Sequence, residues 1–162
     1  MSVSIRASVT SCLVASCLFG CPSSSGPDDG TMLSPYLAIG SALADDRVEG
    51  VPELAKHLSA AAATRTGERG VEAIAAGATP LASDALEPAR ASFKVVSDGL
   101  IEYMRAHPET QQGHMLVHCP MTFEGSGALW VQKKGKVDNP YEGSRMPTCG
   151  SVVGWNDPAP AG

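Results

Sequence analysis

The chain has 162 residues, a net charge of −5 and an isoelectric point near 5.3. Its largest basic cluster is the pair Lys133-Lys134 with Lys136, which argues against a nucleic-acid partner. Aromatic residues make up only 5% of the chain, so we expect a core built mainly from Ala, Leu, Val and Ile. Without its first 31 residues, which have the features of a leader and a linker, the chain keeps roughly 130 residues, enough for one domain with a modest core.

The N-terminal segment 1–20 has the features of a targeting signal. Arg6 is the only charged residue before Asp28, and the apolar stretch after it is too short to span a bilayer as a helix. The stretch ends at Cys21, which opens onto a linker, 21–31, rich in Ser, Pro and Gly. This arrangement resembles a bacterial lipoprotein signal. The resemblance implies that Cys21 becomes the N-terminus and carries the lipid.

Two alternatives to lipid on Cys21 remain open. The residues before Cys17 fit the usual lipoprotein box better than Phe19 does, and an ordinary cleaved signal peptide would leave no lipid at all. Cys21 is favoured because Cys17 would leave an apolar mature terminus, whereas the linker stays solvated and can act as a tether. We therefore expect an exported protein in the periplasm, anchored by lipid to a bacterial membrane, with the outer membrane favoured.

The five cysteines divide simply under this interpretation. Cys12 and Cys17 leave with the signal and Cys21 carries the lipid, so Cys119 and Cys149 remain. Disulfides form in exported proteins. The remaining pair therefore allows one disulfide or one site with two thiolates.

Four segments show apolar residues at steps of three or four, the spacing of amphipathic helices. Gly77 and Pro80 are expected to stop the third helix. The start and stop signals place a first helix from Ser34-Pro35 to Asp45-Asp46, a second from Val51 to Gly67, a third from about Gly70 to Ala76, and a fourth from Ser83-Asp84 to His107-Pro108.

The last third of the chain changes to the short apolar runs typical of strands. Residues 113–118 and 128–132 predict two strands, with a turn at Gly125-Ser126-Gly127 between them. Lys136-Val137 indicates a short third strand, and residues 152–155 are expected to pack back on the sheet or on the helices.

Together these patterns predict a mainly α fold with a small β part. We expect a three- to four-helix bundle capped by a short C-terminal antiparallel β-hairpin. One domain is expected over residues 32–156, followed by a loose tail at 157–162.

Sulfur ligands flank the predicted hairpin, with Cys119 and Met121 on one side and Met146 and Cys149 on the other. Thiolates and thioethers suit Cu(I) and Ag(I), whereas Mg²⁺ and Ca²⁺ need oxygen ligands. In an extended first strand, Cys119 and His118 lie on opposite faces, and the proline after Cys119 bends the chain so that Met121 can converge with it. The sequence thus predicts a soft-metal site, with His118 as a further candidate ligand.

Each of these residues also has an interpretation without metal. Cys119 and Cys149 can form a disulfide, which would stabilise the fold by roughly 3–4 kcal/mol in the chain-entropy model. Met121 and Met146 can fill gaps in the core. His118 can be a hydrogen-bonded histidine with no ligand role.

Signals of catalysis are weak. Ser126 lies between two glycines but lacks the spacing of a nucleophile elbow. No glycine-rich phosphate loop precedes a helix, and the carboxylates are scattered over predicted helix faces. We therefore predict that the protein is not an enzyme.

The order Cys-Pro-Met, Trp, Asn-Pro-Tyr, Met and Cys-Gly resembles a bacterial exported domain family of unknown function. Members of that family occur as free-standing lipoproteins or secreted proteins, and fused to the periplasmic adaptor subunits of copper/silver efflux pumps. The resemblance implies handling of Cu(I) or Ag(I), with periplasmic metal-efflux components as partners. The matching residues are Cys119, Pro120, Met121, Trp130, Asn139, Pro140, Tyr141, Gly143, Met146, Cys149 and Gly150.

Two functions remain in competition. The first is a lipid-tethered domain that binds a soft heavy-metal ion and serves metal efflux or tolerance. The second is a disulfide-stapled structural or protein-interaction domain with no metal role. A count of free thiols in the folded protein separates them, because only the first needs two free thiols.

Overall fold

The computed structural model describes residues 32–157. The predicted signal segment, the linker with Cys21 and residues 158–162 lie outside the described residues. Within the described part, no helix is both long and apolar enough to cross a membrane.

Four helices are followed by a small sheet, which confirms the predicted class of a mainly α fold with a small β part. The helices are α1 (Leu33–Ala44), α2 (Val51–Ala63), α3 (Val71–Leu81) and α4 (Leu86–Ala106). The strands are β1 (His114–Cys119), β2 (Ala128–Lys133) and β3 (Ser151–Val153). Short 3₁₀ turns cover Pro108–Gln111, Phe123–Gly125 and Gly143–Arg145.

The sheet has three strands in the order β2-β1-β3, and both pairings are antiparallel. The predicted hairpin is therefore present as β1 and β2, with Val117 opposite Trp130. The third strand is not Lys136-Val137, as the sequence suggested, but Ser151–Val153, which pairs with the free edge of β1. The reason is that residues 136–137 belong to the loop that leaves β2, while β1 offers its second edge to the C-terminal segment.

The third helix is longer than predicted, since α3 continues through Gly77 and Pro80 to Leu81. Gly77 is a packing residue and not a helix end: a Cβ atom there would lie 2.7 Å from a methyl of Val96 and 3.0 Å from the carbonyl oxygen of Ser92. Pro80 lies in the last turn, where its missing N–H removes few helical hydrogen bonds.

The first helix starts two residues earlier than predicted, because the Ser34-Pro35 signal put Ser34 at the N-cap and Pro35 at the first helical position. It begins at Leu33, and the carbonyl of Met32 accepts a hydrogen bond from the backbone N–H of Tyr36. Pro35 is tolerated because the N–H groups of the first turn have no intrahelical partner.

Tyr36 joins the helices to the sheet. Its ring stacks on Phe93 of α4 with 4.8 Å between centroids. Its hydroxyl lies 2.8 Å from the hydroxyl of Ser97 and accepts a hydrogen bond from the backbone N–H of Val131 in β2. Burial raises the pKa of Tyr36, so the hydroxyl stays protonated and keeps both contacts. The sheet is thereby held against α1 and α4.

Helices α3 and α4 approach each other at backbone distance near Gly99. A Cβ atom on Gly99 would lie 2.6 Å from the carbonyl oxygen of Gly70 and 2.9 Å from the backbone nitrogen of Ile74. Real Cβ atoms do not come so close to backbone atoms, so the two helices would have to move apart.

Gly99→Ala should therefore destabilise the protein although alanine is the better helix former. We expect the free energy of unfolding to fall by about 1–3 kcal/mol, the range for an overpacked core. Urea unfolding followed by circular dichroism measures it. Val95→Ala, at an exposed position of α4, is the matched control and should change stability by no more than about 0.5 kcal/mol. Unchanged stability of Gly99→Ala would contradict the close approach of the helices.

Candidate functional site

Cys119 and Cys149 form a disulfide, the alternative to a two-thiolate site. Their Cα atoms are 5.7 Å apart, within the range that a disulfide spans. Cys119 ends β1 and is fully buried, whereas Cys149 lies just before β3 and is half-buried. The bond therefore fixes the segment that returns to the sheet against the end of its central strand.

Asn139 organises the loop between β2 and the disulfide. It is fully buried, and its side-chain oxygen accepts hydrogen bonds from the backbone N–H groups of Tyr141 and Glu142 at 2.9 and 3.1 Å. Its side-chain nitrogen donates to the carbonyl of Cys149 at 2.8 Å, and its backbone N–H donates to the carbonyl of Pro147 at 2.9 Å. Asn139 thus fixes both the turn and the position of the segment that carries Cys149.

Tyr141 and Gly150 pack the same loop onto the sheet. The Tyr141 hydroxyl donates a hydrogen bond to the carbonyl of Leu129, and its ring lies edge-on to Trp130 with 5.8 Å between centroids. Gly150 lies against Trp130 and Val117, where a Cβ atom would come within 2.7 Å of both side chains. The aromatic and glycine positions of the C-terminal motif are thus packing positions.

Arg90 connects this loop to the helices, and the sequence patterns did not point to it. It is only 6% exposed. Its Nε donates to the carbonyl of Pro140 and its Nη2 donates to the carbonyl of Leu43, both at 3.0 Å. Its Nη2 also donates to the carboxylate of Asp46, which accepts a further bond from the backbone N–H of Ser144. An arginine inside a helical stripe could have drawn attention as a buried charge, but its partners come from distant segments.

Gly143 lies where this loop passes Asp46 and Arg90. Its φ of 52° is in the left-handed region, and a Cβ atom there would collide with the Asp46 carboxylate and with the Arg90 guanidinium. Glycine meets both demands, because it has no Cβ and adopts positive φ without strain.

Two methionines predicted as ligands line one surface cleft. This methionine cleft has a volume of about 760 Å³ and is lined by Met121, Phe123, Tyr141 and Met146 together with Glu87, Arg90, Glu124, Glu142 and Arg145. Met121 is 60% exposed, and Met146 is half-buried. The disulfide holds together the two segments that carry them, since Met121 follows Cys119 by two residues and Met146 precedes Cys149 by three.

The charged side chains at this cleft differ in whether they are paired. Glu142 is buried but paired with Arg145. The Nε of Arg145 donates a hydrogen bond to the Glu142 carboxylate, and its Nη2 forms a salt bridge with the same group. Glu124 is exposed, and it takes part in none of the salt bridges found within residues 32–157. Glu87 also lines the cleft and lies 3.5 Å from Arg90 Nη1. Glu124 is therefore the cleft carboxylate outside these ion pairs, and it can offset the charge of a bound cation.

The remaining predicted ligands are not at the methionine cleft. His118 is buried in the central strand beside Gly127, and it is not part of the cleft lining. The sulfurs of Cys119 and Cys149 are bonded to each other, so neither supplies a thiolate in this state. Among residues 32–157, no three His, Cys, Asp or Glu side chains come together as a metal site. The predicted set is thus divided into a disulfide, a pair of thioethers and a separate histidine.

No known protein family, curated protein or solved structure matches this chain. The resemblance to the exported domain family therefore stays a prediction, carried by the motif residues alone.

The first prediction of this site concerns the disulfide. Reducing it, or replacing Cys119 and Cys149 by serine, should lower the free energy of unfolding by about 3–4 kcal/mol, because a 30-residue separation is no longer closed in the unfolded chain. Thermal unfolding with and without reductant measures the change. The double serine variant is the control and should not respond to reductant. Two free thiols at these positions in protein that has not been exposed to reductant would contradict the disulfide.

The second concerns Asp46 and acid. Hydrogen bonds from Ser144 and from the Arg90 guanidinium lower the pKa of Asp46 from 3.8 to about 2. A carboxylate whose pKa is depressed in the folded state stabilises the fold above its unfolded pKa, and this contribution is lost as pH falls toward the folded value.

Asp46→Asn should therefore destabilise the protein at pH 6, and the difference from the unsubstituted protein should vanish as the pH approaches 2. Urea unfolding at several pH values between 2 and 6 measures it. Asp45→Asn, at the exposed neighbouring carboxylate, is the control. Parallel pH curves for Asp46→Asn and the unsubstituted protein would argue against the Arg90–Asp46–Ser144 junction.

Proposed function

We propose that the protein binds a soft monovalent metal ion, Cu(I) or Ag(I), through the thioethers of Met121 and Met146. The observation that carries the proposal is that both methionines line one cleft while the nearby disulfide holds their segments together. The ion is cargo for a binding protein, and no catalytic step is involved.

The exposure of Met121 argues for a ligand role over a packing role. Methionines that fill a core are buried, as Met104 is in α4 and Met115 is in β1. Met121 is instead the large apolar side chain of the cleft that is most open to solvent, at 60% exposure. A flexible thioether at a cleft mouth can reach an incoming ion, and it is accessible to one.

The compartment supports thioethers over thiolates. In an oxidising environment the cysteine pair is held as a disulfide, which withdraws both thiolates from metal binding. A thioether forms no disulfide and remains a soft ligand there. Two neutral thioethers leave the positive charge of the ion uncompensated, and the exposed carboxylate of Glu124 lines the same cleft. Binding by Met121 and Met146 thus fits an exported protein better than the four-sulfur site predicted from the sequence.

The wider role follows from the same proposal. Lipid on Cys21 would keep the domain at a bacterial membrane in the periplasm, and the bound ion would pass to or from metal-efflux components. The support for this part is the signal-like N-terminal sequence and the resemblance of the motif.

The proposal predicts that Met121→Leu and Met146→Leu each weaken Ag(I) or Cu(I) binding at least 10-fold, because one of two soft ligands is lost while volume is nearly conserved. Competition titration with a Cu(I) chelator measures the affinity of the oxidised protein. Met115→Leu is the matched control, since Met115 is buried and lies outside the methionine cleft. Binding that is equally strong in the Met121/Met146 double variant would overturn the site.

The second candidate is a disulfide-stapled interaction domain without metal. It is favoured by the motif residues Asn139, Tyr141 and Gly143, all of which are accounted for by hydrogen bonds and packing within the loop or between the loop and the rest of the fold. The same titration separates the two functions. An oxidised protein that binds neither Cu(I) nor Ag(I) leaves the interaction domain as the function.

A further inference from the structure

A second cleft, on another part of the surface, carries the basic cluster noted in the sequence. This lysine cleft has a volume of about 810 Å³ and lies between the first half of α1 and the loop that follows β2. Leu33, Leu37 and Trp130 contribute its apolar wall, and Lys133, Lys134 and Lys136 contribute its charged rim. We infer that the lysine cleft is the face that the domain lays on a membrane surface of anionic lipid headgroups.

The three lysines form an unusual concentration of charge for this chain. They are three of its five lysines, they are all exposed, and they lie within four residues. Within residues 32–157, none of them takes part in a salt bridge, whereas Lys56 and Lys94 are paired with Glu53 and Asp98. The rim therefore offers unpaired positive charge on a protein whose net charge is −5.

The loop that presents these lysines is held in place. The side-chain nitrogen of Gln132 donates to the carbonyl of Lys136 at 2.7 Å. The side-chain oxygen of Gln132 accepts bonds from the Trp130 indole at 3.0 Å and from the backbone N–H of Asp138 at 3.2 Å. Little ordering is then needed when the loop meets a surface, which favours binding by weak electrostatic contacts.

The position of the cleft fits a membrane better than a distant soluble partner. Leu33 and Ser34 line it, so the described chain begins at its edge. The inference rests on the proposed lipid anchor: ten residues separate Cys21 from Met32, and a random-coil chain of ten residues has an end-to-end distance of about 18 Å. A tether of that length would hold the domain at an effective concentration in the millimolar range, so binding by the cleft with a dissociation constant well below a millimolar would be close to complete.

The expected strength follows from the net charge of the rim. Asp138 is the single carboxylate among the lining residues, which leaves three positive charges and one negative. Each lysine near an anionic membrane raises surface binding by about 5-fold, so a net charge of two gives about 30-fold.

Amine labelling of the full-length exported protein tests the inference. The protein is added to vesicles of phosphatidylcholine, with or without phosphatidylglycerol, and the labelling of each lysine is read by mass spectrometry. We expect the labelling of Lys133, Lys134 and Lys136 to fall at least 10-fold on the anionic vesicles and to recover in high salt. Lys56 and Lys94, on the helices, are internal controls and should label equally on both.

The outcomes separate the cleft from the anchor. Protein that floats with both kinds of vesicle but labels equally on both keeps its anchor and overturns the membrane-facing cleft. Protein that does not float with neutral vesicles lacks the anchor. In that case flotation with anionic vesicles tests the cleft by itself: K133Q/K134Q/K136Q is expected to lose binding and K56Q/K94Q to retain it, and failure of the unsubstituted protein to float would overturn the inference. Protection of the lysines by soluble polyglutamate but not by anionic vesicles would indicate an acidic protein partner and overturn the inference.

Discussion

The guanidinium of Arg90 is almost fully buried, and it needs two segments besides its own helix to be in place at the same time. The end of α1 supplies the Leu43 carbonyl and the Asp46 carboxylate, while the loop after β2 supplies the Pro140 carbonyl. A buried charge left without such partners costs several kcal/mol, so the junction is satisfied completely or the packing around it fails. The position of the C-terminal loop on the helices, and with it the shape of the methionine cleft, depends on this one side chain.

Two further constraints act on the same loop. Asn139 fixes its turn through four hydrogen bonds, and the disulfide fixes its end against β1. Asn139 determines the local path of the loop and the disulfide holds its end on the sheet, whereas Arg90 determines where the loop lies on the bundle. The thioethers of Met121 and Met146 owe their shared cleft to both. Arg90, Asn139 and the disulfide thus hold the proposed ligand pair in position, although none of them is a proposed ligand of the ion.

Periodicity was sufficient to predict the helices, because their buried stripes repeat every three or four residues and depend on no distant partner. It failed at Gly77, which reads as a helix end but is small because α4 passes close to it. It failed again at β3, since strand pairing depends on which edge of β1 is free. The composition of the site left the disulfide and the metal ligands as equal alternatives. The bond between the two sulfurs distinguishes them in the structure, and it depends on the fold that brings Cys119 and Cys149 together.

The burial of Arg90 also bears on the order in which the protein can fold. Chains are synthesised from the N-terminus, and Pro140 follows Arg90 by 50 residues. Until that stretch has been made, the Arg90 guanidinium on α4 lacks the Pro140 carbonyl as a partner. The edge of β1 that pairs with Ser151–Val153 also stays unpaired. The packing around Arg90 is therefore completed only after the loop that carries Pro140 has been made, so the helices and the C-terminal loop reach their final arrangement together.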